Sequence, residues 1–395
     1  MVISKNLKDL AKLFNSKATL FITGDAVKNF ILNEKPLSYE LTSTLNLDNL
    51  IDLLVNTKFI VKVKNAKQNT ATIYCENEFY NYYCLNNTKK EQNIIEILNQ
   101  DILNKDFTFN SLYFDINENK IIDVCNFKKD VENKIIKLIS DKNLEYSIFT
   151  SLNVCLQQNF KFEDSTKQKL IKSSINLIKA NKSQRKDWLF YLLNLNIQKK
   201  EILSSLIEFN ILSNIFSTKL KRNFINISLK EFPLSLQTSK KIFLETFFID
   251  LINYLKSTST LSDCEIINYT IGKDGLNLDK EFNNKIKKII SALNFRFNNS
   301  NYIFFIYLYN DILNDYLQIK NGPKQLKLIF DELKNENIPT SLNEIKITKK
   351  DLFKFYPNIK NYNANKLLKK IFLQILNKKL KNTKQDIKNY LESLN

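Results

Sequence analysis

The 395-residue chain contains no histidine, which excludes a histidine base, nucleophile or metal ligand. It has only four glycines and five prolines. No apolar run approaches the roughly 20 residues of a membrane-spanning helix. The first residues also lack the apolar core of a secretory signal. These absences predict a cytoplasmic protein without a membrane segment.

Cysteine is present but sparse, and its spacing excludes the usual cysteine sites. The five cysteines are Cys75, Cys84, Cys125, Cys155 and Cys264. None forms a Cys-x-x-Cys pair, and a zinc site built only from cysteine needs closely spaced pairs. We therefore expect free, buried thiols in a reducing compartment.

The chain is strongly basic, with a formal net charge of +18, and 44% of its residues are hydrophobic. That hydrophobic fraction is typical of a folded protein, and the length suggests two or three domains. Lysine, asparagine and isoleucine are in excess, which indicates A+T-biased codon usage. The lysine count alone therefore says little about function.

The basic charge is nevertheless uneven along the chain. Residues 345–395 hold 13 lysines against three acids, so +10 of the +18 lies in this tail. Two interpretations stay open. The segment is either a solvated basic helical tail or a surface that contacts a phosphate backbone.

Residues 1–130 have a mixed pattern of strands and helices. Two segments show helical spacing, 26–32 and 45–55. Short apolar or alternating segments predict strands at 19–23, 59–64, 71–74, 79–85, 112–116 and 120–124. The pattern predicts a small head domain with a mixed β-sheet, with helices on one side of it.

After residue 130 the apolar spacing becomes helical throughout. Helices are predicted at 131–140, 144–158, 165–180, 186–195, 199–216, 240–256, 279–294, 301–318, 323–336 and 364–377. Breaks are expected at 257–278 and 337–346. The predicted fold class is therefore α+β, with a head at 1–130, a helical neck at 131–200 and a helical body and basic tail at 201–395.

The most informative local pattern is at residues 20–32, where a strand leads into Gly24 and then a helix. That geometry presents backbone N–H groups to an anion such as a triphosphate. A single glycine at a strand–helix turn is also common for structural reasons alone.

This segment resembles the Gly-Gly-x-x-Arg-Asp signature of class II RNA nucleotidyltransferases, the family of CCA-adding enzymes and poly(A) polymerases. Further segments resemble later family motifs in the same order, at 36–44, 65–72, 100–112 and 121–130, with a looser similarity at 347–357. The run Asp-Phe-Thr-Phe-Asn-Ser-Leu at 106–112 is the most specific. The resemblance implies a nucleotidyltransferase head followed by a helical neck, body and tail.

The family's reaction uses two divalent metal ions held by an Asp-x-Asp strand. The aligned positions here are Ser38 and Glu40. Serine supplies no charge, and glutamate is longer than aspartate by one methylene, while Mg²⁺ demands near-ideal geometry. The resemblance therefore implies vestigial catalytic positions, with Glu40 as the candidate metal ligand and Mg²⁺ as cofactor only if the protein is active.

The resemblance also implies a set of nucleotide-binding positions. They are Gly24, Asp25, Lys28, Lys105, Asp106 and Asn110. Asp25 replaces the second glycine of the opening signature and puts an acid beside the triphosphate path. Asp106 and Asn110 also have a structural interpretation, as caps that pin the turn they belong to.

The family's base-reading helix carries Glu-Asp-x-x-Arg and two further arginines at three-residue spacing. The aligned positions here are Asn143, Leu144, Ser147, Thr150 and Asn153. Codon drift would turn arginine into lysine, whereas these positions carry serine, threonine and asparagine. The absence of both arginine and lysine at these positions therefore indicates that a positive charge is no longer required there.

Three functions remain open. The first is a catalytically impaired paralogue that binds RNA, most plausibly tRNA. The second is an active, divergent nucleotidyltransferase that adds CCA or A residues to RNA 3′ ends, using Glu40 with Asp25 or Asp101. The third is a structural scaffold, in a ribonucleoprotein or with a protein partner such as an intact paralogue. The motifs do not separate CCA addition from poly(A) synthesis.

Overall fold

The computed structural model describes residues 3–15, 17–85, 93–142, 144–216, 243–298, 301–319, 323–356 and 361–394. The chain divides into two compact units. The first comprises residues 1–181 and 187–215, and the second comprises residues 182–186 and 216–395. Asn143 lies outside the described residues.

The first unit is built on a mixed sheet of seven strands. They are β1 (Phe21–Thr23), β2 (Tyr39–Ser43), β3 (Ile60–Asn65), β4 (Thr70–Cys75), β5 (Glu78–Cys84), β6 (Tyr113–Asp115) and β7 (Lys120–Ile122). Their order across the sheet is β3-β4-β5-β2-β1-β6-β7. Only β2 and β5 pair in parallel within this sheet. The predicted mixed-sheet head is confirmed.

Helices cover both faces of this sheet. The helices of the sheet region are α1 (Lys5–Phe14), α2 (Asp25–Ile31), α3 (Leu47–Leu54) and α4 (Ile94–Ile102). Phe14 of α1 packs on Tyr82 of the first face, whereas α4 packs on Phe21 and Tyr113 of the other. The expectation of helices on one side was wrong, because the second face also carries large apolar side chains that need cover.

Asparagine takes over the usual role of glycine at tight corners. Twelve described residues other than glycine have a positive φ, and nine of them are asparagine. The left-handed region is costly for most side chains, but asparagine tolerates it because its amide can bond locally. A chain with four glycines can therefore still form many turns and helix ends.

Helices follow the head. The first are α5 (Lys128–Glu132), α6 (Leu144–Gln158), α7 (Asp164–Ser173), α8 (Lys182–Leu193), α9 (Lys199–Glu208) and α10 (Ile211–Phe216). A two-stranded parallel sheet joins β8 (Ile135–Ile136) to β9 (Lys161–Phe162). The helix predicted at 131–140 was wrong, because a short apolar run cannot reveal a strand partner 26 positions later.

The described part of the second unit is helical. Its helices are Phe243–Thr258, Asp263–Thr270, Lys280–Leu293, Tyr302–Tyr309, Leu313–Ile319, Lys324–Asn335, Lys349–Phe355, Asn361–Leu376 and Lys384–Glu392. The predicted break at 257–278 was partly wrong, because a capping box between Ser262 and Glu265 starts a helix inside it. Among the described residues, no helix combines the length and apolar character needed to cross a membrane.

All five cysteines are unpaired, as expected. Cys125 and Cys264 are exposed, however, so the prediction of buried thiols was wrong at these two positions. Each lies at a polar surface position that apolar periodicity does not identify.

The sheet face that packs on α1 should carry most of the head's stability. Ile73, in the centre of β4, is fully buried on that face, while Ile60 on the neighbouring strand is 68% exposed. We expect Ile73→Ala to lower the free energy of unfolding by about 2–5 kcal/mol. Ile60→Ala should change it by less than about 0.5 kcal/mol. Urea denaturation of both variants tests this, and equal losses would contradict the assigned faces.

Candidate functional site

A cavity of about 390 Å³ lies in the first unit, beside the end of β1, the start of α2 and the middle of α6. Its walls also include the turn at 104–110. The lining residues are Gly24, Asp25, Glu40, Asn104, Lys105, Asp106, Phe109, Asn110, Lys142, Tyr146, Ser147, Thr150, Asn153, Val154 and Tyr191. Five of the six positions predicted to bind nucleotide line this cavity, and Lys28 lies beside it.

Gly24 and Glu40 fix the floor of the cavity. Thr23 pairs with Glu40 across β1 and β2, so Gly24 lies directly beside the Glu40 side chain. Gly24 has a φ of +70°, and a Cβ there would lie 2.7 Å from Glu40 Oε2. Both the backbone conformation and the close approach therefore require glycine.

The cation retained on α2 is neutralised inside the protein. Lys28 Nζ lies 2.9 Å from Asp25 Oδ1 and 5.4 Å from the centroid of the Phe109 ring. The Lys28 side chain is only 4% exposed, whereas that of Asp25 is 68% exposed. The acid that replaces the family's second glycine thus holds the nearest cation.

Lys105 is held by a buried polar network. Its Nζ donates to the Tyr83 hydroxyl at 2.8 Å and lies 3.6 Å from Asp101 Oδ2. Tyr83 and Tyr113 donate to Asp101 Oδ2 at 2.9 and 2.6 Å. Burial opposes the charge of Lys105, but the oxygens of Tyr83 and Asp101 outweigh it and raise the pKa of the lysine. Lys105 is therefore a fixed cation rather than a mobile one.

Asp106 pins the turn that leads into the cavity. Its Oδ1 accepts from the Phe107 N–H at 2.9 Å and from Asn110 Nδ2 at 3.2 Å. Its Oδ2 accepts from the Ser147 hydroxyl at 3.3 Å and so links the turn to α6. The sequence-based structural role for Asp106 and Asn110 agrees with these bonds.

The base-reading positions lie partly on the cavity wall. Ser147, Thr150 and Asn153 line it, because residues three apart on α6 share one face. Leu144 is not among the lining residues. The Oδ1 atoms of Asn110 and Asn153 are buried without a protein partner, so two acceptors are available to a polar occupant.

Three polar or aromatic cavity residues lie outside the family motifs and were missed by sequence reasoning. Lys142 donates to Asn104 Oδ1 at 3.2 Å, and Tyr146 lies seven residues before Asn153 on the same helix face. Tyr191 is contributed by α8, about 40 residues further along the chain, and no local sequence pattern predicted it. Burial raises the pKa of Tyr191, with smaller contributions from Asp25 and Tyr146.

The formal charges around the cavity balance. Three acids line it, Asp25, Glu40 and Asp106, and three lysines oppose them, Lys105 and Lys142 on the wall and Lys28 beside it. The Glu40 side chain is exposed overall because it opens into the cavity, yet its carboxyl is enclosed by the walls. Burial raises the pKa of the Glu40 carboxyl, Lys105 opposes the rise, and Asp25 and Asp106 add to it.

The donor set does not match a pair of divalent metal ions. Ser38 precedes β2, is exposed and does not line the cavity. Within the described ranges, no group of three or more histidine, cysteine, aspartate or glutamate side chains is placed to hold a metal ion. Of the three carboxyls on the wall, that of Glu40 is disfavoured in its charged form, Asp25 engages Lys28, and Asp106 accepts three hydrogen bonds. We therefore derive no metal-dependent step at this site.

Gly24→Ala should be destabilising. An alanine in the left-handed region costs about 1–2 kcal/mol, and its Cβ would also displace the Glu40 carboxyl. Urea denaturation should show a smaller loss when the substitution is made in a Glu40→Ala background, because only the backbone cost then remains. Equal losses in the two backgrounds would show that the contact does not matter.

The Glu40 carboxyl should destabilise the fold near neutral pH. Its pKa is raised in the folded state, so folding opposes ionisation, and this cost develops as pH rises above the ordinary value of 4.5. Glu40→Gln should raise the free energy of unfolding at pH 7, and the gain should shrink as pH falls towards 4.5 and disappear below it. Denaturation across this range tests it, with Asp52→Asn on α3 as the surface control. A pH-independent difference would contradict the assignment.

Comparison with known proteins gives a family match in the head and a fold match over the whole chain. Residues 20–137 match the family described as the poly A polymerase head domain. No curated protein matches the sequence.

Solved CCA-adding enzymes share the fold at low identity. The Bacillus stearothermophilus CCA-adding enzyme in complex with CTP is 12% identical, with a TM-score of 0.66 over 98% of this chain and 96% of that one. The Thermotoga maritima CCA-adding enzyme complexed with tRNA is 14% identical, with a TM-score of 0.63 over 100% and 97%. A CCA-adding enzyme complex with CTP is also 14% identical, with a TM-score of 0.69 over 99% and 96%. These likenesses concern the fold, while the match at 20–137 concerns the family. Residues 20–137 therefore match the poly A polymerase head-domain family, and the chain as a whole has the fold of solved CCA-adding enzymes.

Proposed function

We propose that this protein is an RNA-binding member of the family whose nucleotidyl-transfer activity is strongly impaired, and that its RNA is a tRNA. The observation that carries the proposal is that the cavity has no surplus of positive charge. Three acids offset three lysines there, Lys28 included, at the place where the family reaction would bring a triphosphate.

The expected impairment follows from the contacts of Lys28 and Lys105, the two lysines at predicted nucleotide-binding positions. Lys28 is paired with Asp25, and Lys105 is held by Tyr83 and Asp101. An incoming triphosphate would have to compete with these internal partners for both lysines. Electrostatic stabilisation is the largest catalytic contribution in phosphoryl-type transfer, so its loss should be severe.

The replacement of Asp-x-Asp adds to this loss. Ser38 supplies no charge, and the pKa of Glu40 is raised by burial. A misplacement of about 1 Å at a reacting centre can already cost roughly 100-fold in rate. Two positions have changed here, so residual activity should be lower still.

RNA binding is supported by the basic tail and by the cavity's unpartnered acceptors. Residues 345–395 carry 13 lysines against three acids, so most of their positive charge cannot be neutralised within the segment. Lys369, Lys370, Lys378, Lys379 and Lys381 are among the exposed ones. One relative with this fold, from Thermotoga maritima, has been solved with tRNA. Asn110 and Asn153 would offer acceptors to a base at the RNA 3′ end.

An active divergent enzyme is the second candidate, because Glu40 does lie in the cavity with Asp25 and Asp106 near it. Incorporation of CTP or ATP that is abolished by Glu40→Ala would favour this candidate. Unchanged incorporation in that variant would instead exclude this cavity as the source.

The decisive experiment separates RNA binding from transfer. Purified protein should bind tRNA, measured by fluorescence anisotropy, with an affinity that falls as salt rises, because lysine–phosphate contacts release counterions. With Mg²⁺ and labelled CTP or ATP, it should incorporate nucleotide into tRNA at least about 100-fold more slowly than a family member with Asp-x-Asp intact.

Two controls make this result interpretable. Lys369→Glu combined with Lys379→Glu should weaken tRNA binding, whereas Lys5→Glu combined with Lys12→Glu, on α1 of the head, changes the net charge equally and should weaken it less. Incorporation at the rate of the intact relative would refute the impairment. Absence of tRNA binding at low salt would refute the RNA-binding function and favour the scaffold hypothesis.

A further inference from the structure

An exposed apolar stripe crosses three strands at one edge of the head sheet. Ile60 pairs with Tyr74 across β3 and β4, and Tyr74 pairs with Phe79 across β4 and β5. Their exposed fractions are 68%, 41% and 54%. The Tyr74 and Phe79 ring centroids are 6.5 Å apart. A contiguous row of exposed large apolar side chains marks an interaction surface rather than a surface selected for contact with water.

A polar row beside this stripe leads to the cavity. Lys62 pairs with Thr72, Thr72 with Asn81, and Asn81 with Glu40. Residues directly opposite each other in a sheet share a face, so this row and Glu40 point the same way. Three strand spacings separate Lys62 from Glu40, which is about 14 Å. We call the side chains of Ile60, Lys62, Thr72, Tyr74, Phe79 and Asn81 the open face.

The open face has the chemistry of a nucleic-acid surface. Lys62 and Lys64 are exposed, and Lys64 Nζ donates to Asn81 Oδ1 at 2.6 Å. Aromatic rings beside lysines suit single-stranded nucleic acid, because bases stack on the rings while the cations meet the phosphates.

Other occupants fit less well. The outer edge of β3 carries Lys62 and Lys64 and an irregular register between Val63 and Asn65, features that disfavour the addition of a protein strand. A duplex keeps its base faces stacked internally and cannot offer them to Tyr74 and Phe79. An unpaired strand satisfies both the rings and the charges.

We propose that the open face binds the single-stranded 3′ end of an RNA and directs it towards Glu40. The inference rests on the proposed RNA-binding function and adds the surface used and the form of RNA recognised. Tyr74 and Phe79 provide stacking positions, and Lys62 contacts a phosphate. Because Glu40 lies in the same cross-strand row as Lys62, the bound RNA strand can continue from the open face into the cavity.

The test compares two RNAs that differ only at the 3′ end. One is a blunt stem-loop, and the other carries about six unpaired nucleotides, within the site sizes of aromatic single-strand surfaces. Fluorescence anisotropy should show tighter binding of the extended RNA to the wild-type protein. Tyr74→Ala and Phe79→Ala should each reduce this gain, by about 5- to 100-fold where a full stacking contact is lost.

Conservative and charge variants refine the expectation. Tyr74→Phe should keep the gain, because the ring is retained. Lys62→Ala should weaken binding of the extended RNA and lower the slope of log affinity against log salt by about 1, the amount for one phosphate contact. Phe304→Ala removes a similarly exposed ring, 48% exposed, from the second unit and should leave the gain unchanged.

The outcomes distinguish failure of this inference from failure of the proposed RNA-binding function. If Tyr74→Ala and Phe79→Ala keep the full gain while both RNAs still bind, the open face is not the 3′-end surface and RNA binding stands. If neither RNA binds to the wild-type protein, both proposals fail. Circular dichroism confirms that the variants are folded, as expected for side chains that are largely exposed.

Discussion

The contact between Gly24 and Glu40 is the constraint on which the candidate site depends. Gly24 adopts a φ of +70° and leaves no room for a Cβ beside the Glu40 carboxyl. This contact joins the end of β1 to β2 and sets where α2 begins, so it determines where Asp25 and Lys28 stand. The longer side chain at position 40 fits because its neighbour has none.

The candidate site is held by hydrogen bonds that do not depend on a bound ligand. The turn held by Asp106 and the network around Asp101 stabilise the head whether or not a nucleotide binds. Buried polar groups that are bonded to one another are costly to disturb, because removal of one member leaves the others unpaired. Asp101 and Asp106 therefore have structural roles that are independent of any catalytic one.

The sequence predicted the head's strands and the change to helices well, because apolar spacing is strong there. It failed where the determining partner is distant. The parallel pairing of Ile135 with Lys161 and the arrival of Tyr191 at the cavity depend on packing between remote segments. Motif spacing placed Gly24, Glu40 and Lys105 in one site, and the three residues line one cavity. It could not show that Lys28 and Lys105 are held by internal partners, since an ion pair depends on side-chain geometry.

The ion pair between Asp25 and Lys28 also bears on how such a site could change over time. Asp25 engages Lys28, so a substitution at position 25 would free this lysine, whereas an aspartate introduced at position 38 would be exposed outside the cavity. A cavity with paired carboxyls and a free lysine would therefore require changes at positions 25, 38 and 40 together, since neighbouring charges act jointly rather than independently. The pair of Asp25 and Lys28 thus makes any one of these substitutions ineffective by itself.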